Sequence, residues 1–345
     1  MTQEQWQMLS DLTEGREPSE PPVGFIIDSP WLPGWAGIST LDYYASGPLW
    51  FEANKRAVQD FPDVLFLPGF WSEYGMCSEP SAFGARQVWN DYNLPHAERL
   101  IQGPEDLKKI RKPNPETDGL LPFILQRLTE YEPRIRELGH EIRFAVARGP
   151  LNIASFLMGT TEFMMGLMMQ PEEMHELLQI ISEFTVEWLR LQKDRFSSID
   201  GILILDDLVG FVGEAECREF AIPCLKQIFG AFEAKVRFFH NDAEGLVCAP
   251  FLKEAGVNLF NFSFKHSLNE IRRLAGQDMV LLGNLPPRDV MASGTPEQVA
   301  GETLKMWAGT KDRRRIIWSV GGGMSQGVST DNIRAFTRTI RQMRL

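Results

Sequence analysis

The sequence predicts an α/β protein, a (β/α)8 TIM barrel with an N-terminal helical elaboration. Two observations carry that expectation. Short, near-continuously apolar runs alternate with longer helical stretches from residue 141 onward, and such runs are what parallel strands buried on both faces require. The C-terminal end of nearly every run carries polar residues or glycine: Arg148 and Gly149, Asp206 and Asp207, His240 and Asp242, Asn261 and Ser263, Gly283 and Asn284, then Gly321 to Gly323. An open doubly wound sheet shares the alternation. A closed barrel also gathers those ends at one mouth, where active sites of this fold lie.

The elements follow in order. MTQEQWQMLSDL (1–12) reads as an amphipathic first helix, and Pro/Gly/Trp-rich segments such as DSPWLPGWAG come after it. Residues 1–60 are expected to form a helical and irregular cap over the barrel, and 61–345 the barrel itself, with VLFLPG (64–69) as its first strand. The later strands are EIRFAVARG (141–149), GILILDD (201–207), KVRFFHND (235–242), VNLFNFS (257–263), DMVLLGNL (278–285) and RIIWSVGGG (315–323). Between them, the helix beginning at Gln170 has Pro171 at a first helical position, acids in its first turn and bases near its end. The helix over 214–234 carries Pro223, which predicts a break or kink. SLNEIRRLAG, TPEQVAGETLKMWAG with its Thr295 cap, and STDNIRAFTRTIRQMRL complete the set. The methionine-rich FLMGTTEFMMGLMMQ is expected to serve the core. Trp31, Trp35, Trp71 and Trp89 are expected to fill the gap between cap and barrel.

Composition narrows the function. With 46 acidic against 35 basic residues the formal charge is -11, and the one basic cluster, KDRRR at 311–315, offers no stripe for phosphates, so no nucleic-acid partner is expected. No stretch reaches the roughly 20 uninterrupted apolar residues of a membrane span. The 4 cysteines form no C-x-x-C pair and no signal-peptide core opens the chain, so a reduced, cytoplasmic setting is expected. A homodimer is compatible with this reading.

His240, ending FFHND, is the first candidate for chemistry. At a strand's C-terminal end its imidazole would enter the mouth, with Asn241 and Asp242 beside it. A catalytic zinc needs three protein ligands and an open position, and it accepts imidazole nitrogen and carboxylate oxygen. Asp206, Glu219 and His240 could supply that set, although an unselected Glu belongs on a solvated helix face. Asp206 and Asp207 are neighbours on one strand, so at most one faces the barrel axis while the other can cap a helix. Two carboxylates meeting without a metal would raise one pKa and allow general acid work. Arg148 could hold an anionic group or form a structural ion pair. The GGGM run lacks the spacing and lysine of a P-loop and reads as a tight strand exit with close backbone approach.

The series ARGPLNIASFLMG, GILILDD, FFHND, LLGNLPP and IWSVGGGMSQGVSTDNI resembles the uroporphyrinogen decarboxylase superfamily, over about residues 100–345 in consistent order. The resemblance implies a (β/α)8 barrel and extends to zinc-dependent methyltransferases that serve corrinoid proteins. The decarboxylase branch carries an N-terminal Arg-Gln-Ala-Gly-Arg-Tyr clamp that is missing here, and the segment where that branch places its key aspartate reads EYGMCSEPSAFG. The thiol-methylating methylcobamide branch binds zinc through His-x-Cys and a later Cys; here Asp242 and Gly322 stand in those places. The branch that removes methyl groups from aryl ethers is more similar: its histidine follows a Glu after twenty residues, as His240 follows Glu219, and Asp206 lies two residues past the place of its first Glu, where Ile204 stands.

The resemblance therefore implies a corrinoid-dependent O-demethylase methyltransferase, with Zn2+ on Glu219, His240 and Asp206. Asp206, Asp207 and Asp242 would act as catalytic residues, and Arg148, Asn241 and Asn284 would line the substrate site. The methyl donor would be a small aromatic ether, and the cobalamin would be carried by a separate corrinoid protein. The alternatives are a decarboxylase using Asp206 or Asp207 as acid and Arg148 as clamp, a thiol methyltransferase, and a metal-free barrel that only binds a ligand or corrinoid partner.

Overall fold

The computed structural model describes residues 1–27 and 29–343. Eight parallel strands make the barrel wall: β1 (Gly24–Ile26), β2 (Leu65–Leu67), β3 (Phe144–Arg148), β4 (Gly201–Leu205), β5 (Val236–Asn241), β6 (Leu259–Phe262), β7 (Val280–Leu285) and β8 (Ile316–Val320). Strands β3 to β8 form one six-stranded sheet in chain order, and β1 pairs with β2. A parallel bridge between Val23 and Trp318 joins β1 to β8, with the Trp318 N–H donating to the Pro22 carbonyl at 2.9 Å.

The first strand is therefore Gly24–Ile26 and not the run at 64–69, which is the second. The segment 1–60, expected as a cap, supplies a piece of the wall. Three strand residues between Pro22 and Pro30 are too short to display a period, so the sequence pattern could not reveal them.

Alternate residues of each strand point inward. Ile26, Leu65, Leu67, Phe144, Leu203, Leu205, Val236, Phe238, Leu259, Val280, Leu282 and Ile317 fill the interior as one apolar cluster. The first helix, Gln3–Glu14, belongs to that cluster through Trp6, Leu9 and Leu12. Trp6 meets Phe144 edge-on at 5.5 Å, and a Cβ on Gly201 would lie 3.1 Å from the Trp6 ring. Phe144 and Gly201 open their strands, so this helix closes the N-terminal floor of the barrel and does not cover the mouth. Its start is fixed by a capping box between Thr2 and Gln5 and its end by Gly15 at φ 85°.

One joint in the wall is not zipped. Among the described residues no strand ladder links β2 to β3. Side chains take over the free edge of β3: Gln192, from the helix Pro171–Arg195, accepts from the Val146 N–H at 3.0 Å and donates to its carbonyl at 3.0 Å, while Glu79 accepts from the Arg148 N–H at 2.9 Å. Buried backbone groups need partners, and these three bonds provide them.

Around the barrel the helices appear where periodicity placed them, the break expected near Pro223 included, and only the methionine-rich stretch departs from expectation. The stretch 214–234 is split into Glu214–Glu216, a π-turn over Cys217–Ala221 and the helix Ile222–Phe229, with Pro223 in the first turn of the last. The methionine-rich stretch is only half core: Phe163 and Leu167 are buried, but Met165, Met168 and Met169 stand exposed on the helix Thr160–Met169.

Candidate metal centre

His240 sits on the inward face of β5, one turn of the pleat beyond Phe238, and is 6% exposed. In register it neighbours Leu205 on β4 and Asn261 on β6. Its Nδ1 lies 2.7 Å from Asn261 Oδ1. The Asn261 amide nitrogen donates to the Leu282 carbonyl at 2.8 Å and the Val320 carbonyl at 3.4 Å, which leaves its oxygen facing the histidine. An oxygen there demands a proton on Nδ1, so the Nε2 lone pair is the one free to bind.

That nitrogen points at acids. Asp207 Oδ1 is 3.6 Å from His240 Nε2 and accepts from the Asp242 N–H at 3.1 Å. Ligand atoms of Asp207, His240 and Asp242 all lie within 4.8 Å of one another. Asp242 opens to solvent on one side and is enclosed on the others; this enclosure pushes its carboxyl above the usual range, His240 opposes the shift and Asp207 reinforces it. The glycine loop after β8 leaves the necessary room. Gly322 has φ 104°, and a Cβ there would fall 2.6 Å from Asp242 Oδ2. Two hard carboxylate oxygens and one imidazole nitrogen with a directed lone pair fit a divalent cation of the zinc type.

The expected ligand set of Asp206, Glu219 and His240 is not brought together. Asp206 is fully buried and accepts from the Leu151 N–H at 2.9 Å and the Asn152 N–H at 3.0 Å, so it caps the helix Pro150–Met158. Gly149 is required beside it, since a Cβ there would meet Asp206 Oδ2 at 2.2 Å. Burial pushes the Asp206 carboxyl well up, against the pull of the Leu151 N–H. Glu219 lies in the π-turn with its side chain half-exposed, 3.0 Å from His175 Nε2, and the His175 ring stacks on Phe220 at 4.4 Å. Twenty intervening residues set its distance in sequence from His240, but the turn directs it outward.

The other expected site residues divide. Asn241, on the opposite face of β5, accepts from the Ala243 N–H at 3.1 Å and donates toward Cys248 Sγ at 3.6 Å, behind the wall. Asn284 is the penultimate residue of β7 and donates to the His266 carbonyl. Arg148 does reach the mouth end of β3, but as an ion pair: its Nη2 donates to Glu73 Oε2 at 2.7 Å, and its guanidinium lies 5.3 Å from the Trp71 ring centre. Glu73 Oε1 accepts from Ser29 at 2.9 Å, and Ser29 in turn accepts from the Tyr44 hydroxyl at 2.6 Å.

Sequence reasoning passed over Asn261, Glu73 and Glu79. Asn261 was visible as a strand-end polar residue. Both glutamates stand in EYGMCSEPSAFG, a segment read only for an aspartate.

The sequence model of the uroporphyrinogen decarboxylase (URO-D) family matches residues 34–343. A methylated-thiol–coenzyme M methyltransferase of Methanosarcina mazei is 23% identical over 271 residues, covering 78% of this chain and 71% of that protein. A uroporphyrinogen decarboxylase of Carboxydothermus hydrogenoformans is 24% identical over 260 residues, 72% of this chain and 71% of its own. In three dimensions a methyltransferase from Methanosarcina mazei superposes with a TM-score of 0.83 at 15% identity, covering 98% of both chains. A B12-independent methionine synthase from Shewanella superposes with a TM-score of 0.56 at 12% identity over 94% of this chain.

Proposed function

The chain belongs to the uroporphyrinogen decarboxylase family, and from that premise we propose that it is a zinc-dependent methyltransferase acting on a small methyl ether, with a separate corrinoid protein as methyl acceptor. The observation that carries the reading is the cluster of Asp207, His240 and Asp242 at the mouth, with His240 held in one tautomer by Asn261. In this reading those three residues are the zinc ligands. Bound there, zinc would supply Lewis acidity to the atom that leaves when the methyl departs.

The donor set favours oxygen as that leaving atom. Thiolate ligands suit soft partners, whereas two carboxylates and an imidazole leave a harder centre that suits an alkoxide or phenolate. Two methyltransferases among the relatives keep the reaction class in view, and one is named for a methylated thiol; the choice of an ether here rests on the missing thiolates at 242 and 322. The chain's own residues would do the rest. Asn261 orients the histidine, the glycine loop leaves space over Asp242, and Trp71 offers an apolar wall with Arg148 fixed across it by Glu73. Asn284 stands near the end of β7 on the same rim. A decarboxylase reading would ask Arg148 to clamp a substrate carboxylate, but Glu73 already occupies that charge.

The test is methyl transfer from a methoxyarene to free cob(I)alamin, followed by its visible spectrum, with the zinc-loaded chain. Formation of methylcobalamin that needs both zinc and His240 supports the proposal. Transfer from methylated thiols alone would overturn the choice of ether, and decarboxylation without transfer would overturn the reaction class.

A further inference from the structure

The unzipped joint between β2 and β3 contains a small cavity of about 20 Å3, where apolar side chains such as Trp71 and Phe144 meet Ser72, Glu73, Glu79 and Arg148. That volume is on the scale of a single water. Two of the lining residues carry a buried polar atom without a partner, Ser72 Oγ and Glu79 Oε2, on residues 3% and 4% exposed. Buried polar atoms are rarely left unbonded, and two around one water-sized void call for a common explanation.

Charge supplies the second half of the argument. Two carboxyl groups face one guanidinium here, and they are not equivalent. Glu73 takes the Arg148 side chain and the Ser29 hydroxyl, so both its oxygens are satisfied as an anion. Glu79 receives from Arg148 only the backbone N–H, on Oε1. A second anion in this enclosure would lack a counter-charge, and an unpaired buried charge is the costlier state. Burial pushes the Glu79 carboxyl above its usual range; Arg148 opposes this and Glu73 adds to it.

We propose that this seam is a proton-holding site: Glu79 is a neutral carboxylic acid whose Oε2–H donates to one internal water, and Ser72 Oγ is that water's second partner. Glu73 and Glu79 then hold one proton and one guanidinium between them, and the barrel wall behind Trp71 is electrically neutral. The water ties Ser72 to Glu79 within the segment that follows β2, and Glu79 Oε1 joins that segment directly to the Arg148 N–H at the edge of β3.

Neutron diffraction from crystals of the full chain grown in D2O at neutral pD reads both parts. The expected result is a deuteron on Glu79 Oε2 and a D2O within hydrogen-bond distance of that atom and of Ser72 Oγ. An ionised Glu79, or a cavity without solvent density, overturns the proposal. In solution, the infrared difference between wild type and Glu79→Gln isolates one protonated-carboxyl band that moves down in D2O; no such band in the difference is equally fatal. Should Glu79→Gln not fold, Ser72→Ala keeps the acid and removes a partner of the water, so the band must shift in frequency, and an unmoved band counts against the bridge.

Discussion

His240 and Asn261 form a fixed pair across neighbouring strands: Nδ1 donates to Oδ1 at 2.7 Å, and the Asn261 amide is itself anchored to the Leu282 carbonyl. Partners of this kind around metal-binding histidines raise affinity by about 10–100-fold. Asn261→Ala is therefore expected to weaken zinc binding by that factor while leaving the three proposed ligands in place. Competition with a chromogenic chelator measures it, and unchanged affinity would mean that the pair is only part of the core.

The position of Glu219 separates two ligand sets. His240→Ala, Asp207→Ala and Asp242→Ala are each expected to lose the metal from freshly purified protein, against about one zinc per chain in wild type. Glu219→Ala is expected to keep it. Elemental analysis of the four variants decides, and a metal-free Glu219→Ala protein would restore the set read from spacing.

Gly322 is expected to tolerate no side chain. Gly322→Ser adds roughly 1–2 kcal/mol of backbone strain at its positive φ, and its Cβ would lie 2.6 Å from Asp242 Oδ2. Zinc binding should fall sharply with only a small loss of melting temperature. Calorimetry and metal analysis on the same sample compare the two losses, and intact zinc binding would remove the glycine loop from the site.

Gln192 holds the open edge of β3. Gln192→Leu leaves the Val146 N–H and carbonyl without partners in a partly buried seam. Each orphaned group costs about 1–3 kcal/mol. Urea unfolding should show a lowered midpoint, with Gln192→Glu closer to wild type because it still accepts from the N–H. Equal midpoints for wild type and Leu would show that the seam finds other partners.

His140 makes stability depend on acid. Burial pushes its pKa from the ordinary 6.5 down to about 4, and its Nδ1 has no partner. The unfolded chain takes up this proton first, so the contribution is intact above pH 6.5 and is lost progressively as pH falls from 6.5 through 4, by on the order of 1–3 kcal/mol. His140→Leu should lose correspondingly less stability than wild type between pH 7 and pH 4.5 in urea titrations. An identical loss in both would assign the acid sensitivity elsewhere.

Much of the barrel was legible because its strands β3 to β8 are long apolar runs ended by polar residues, a pattern local enough to read. β1 was not, since three residues between prolines carry no period and only the bridge from Val23 to Trp318 defines them. At the site, strand position identified His240 and Asp242 as mouth residues. Which of Asp206 and Asp207 turns inward was undecidable from sequence: Asp206 is claimed by the N-terminus of a helix that precedes it by more than fifty residues. Spacing alone does not give the direction of Glu219, because the π-turn sets which way a residue with twenty others between it and His240 points.

The helix Gln3–Glu14 makes the barrel a cup and not a pipe. With Trp6, Leu9 and Leu12 seated among the first residues of the strands, nothing passes through from below. The proposed methyl donor and corrinoid acceptor, if both use His240, must come and go by a single doorway. They therefore compete for it or stack in it, and a product inhibition pattern that changes with acceptor concentration is the kinetic trace such a dead-end vessel would leave.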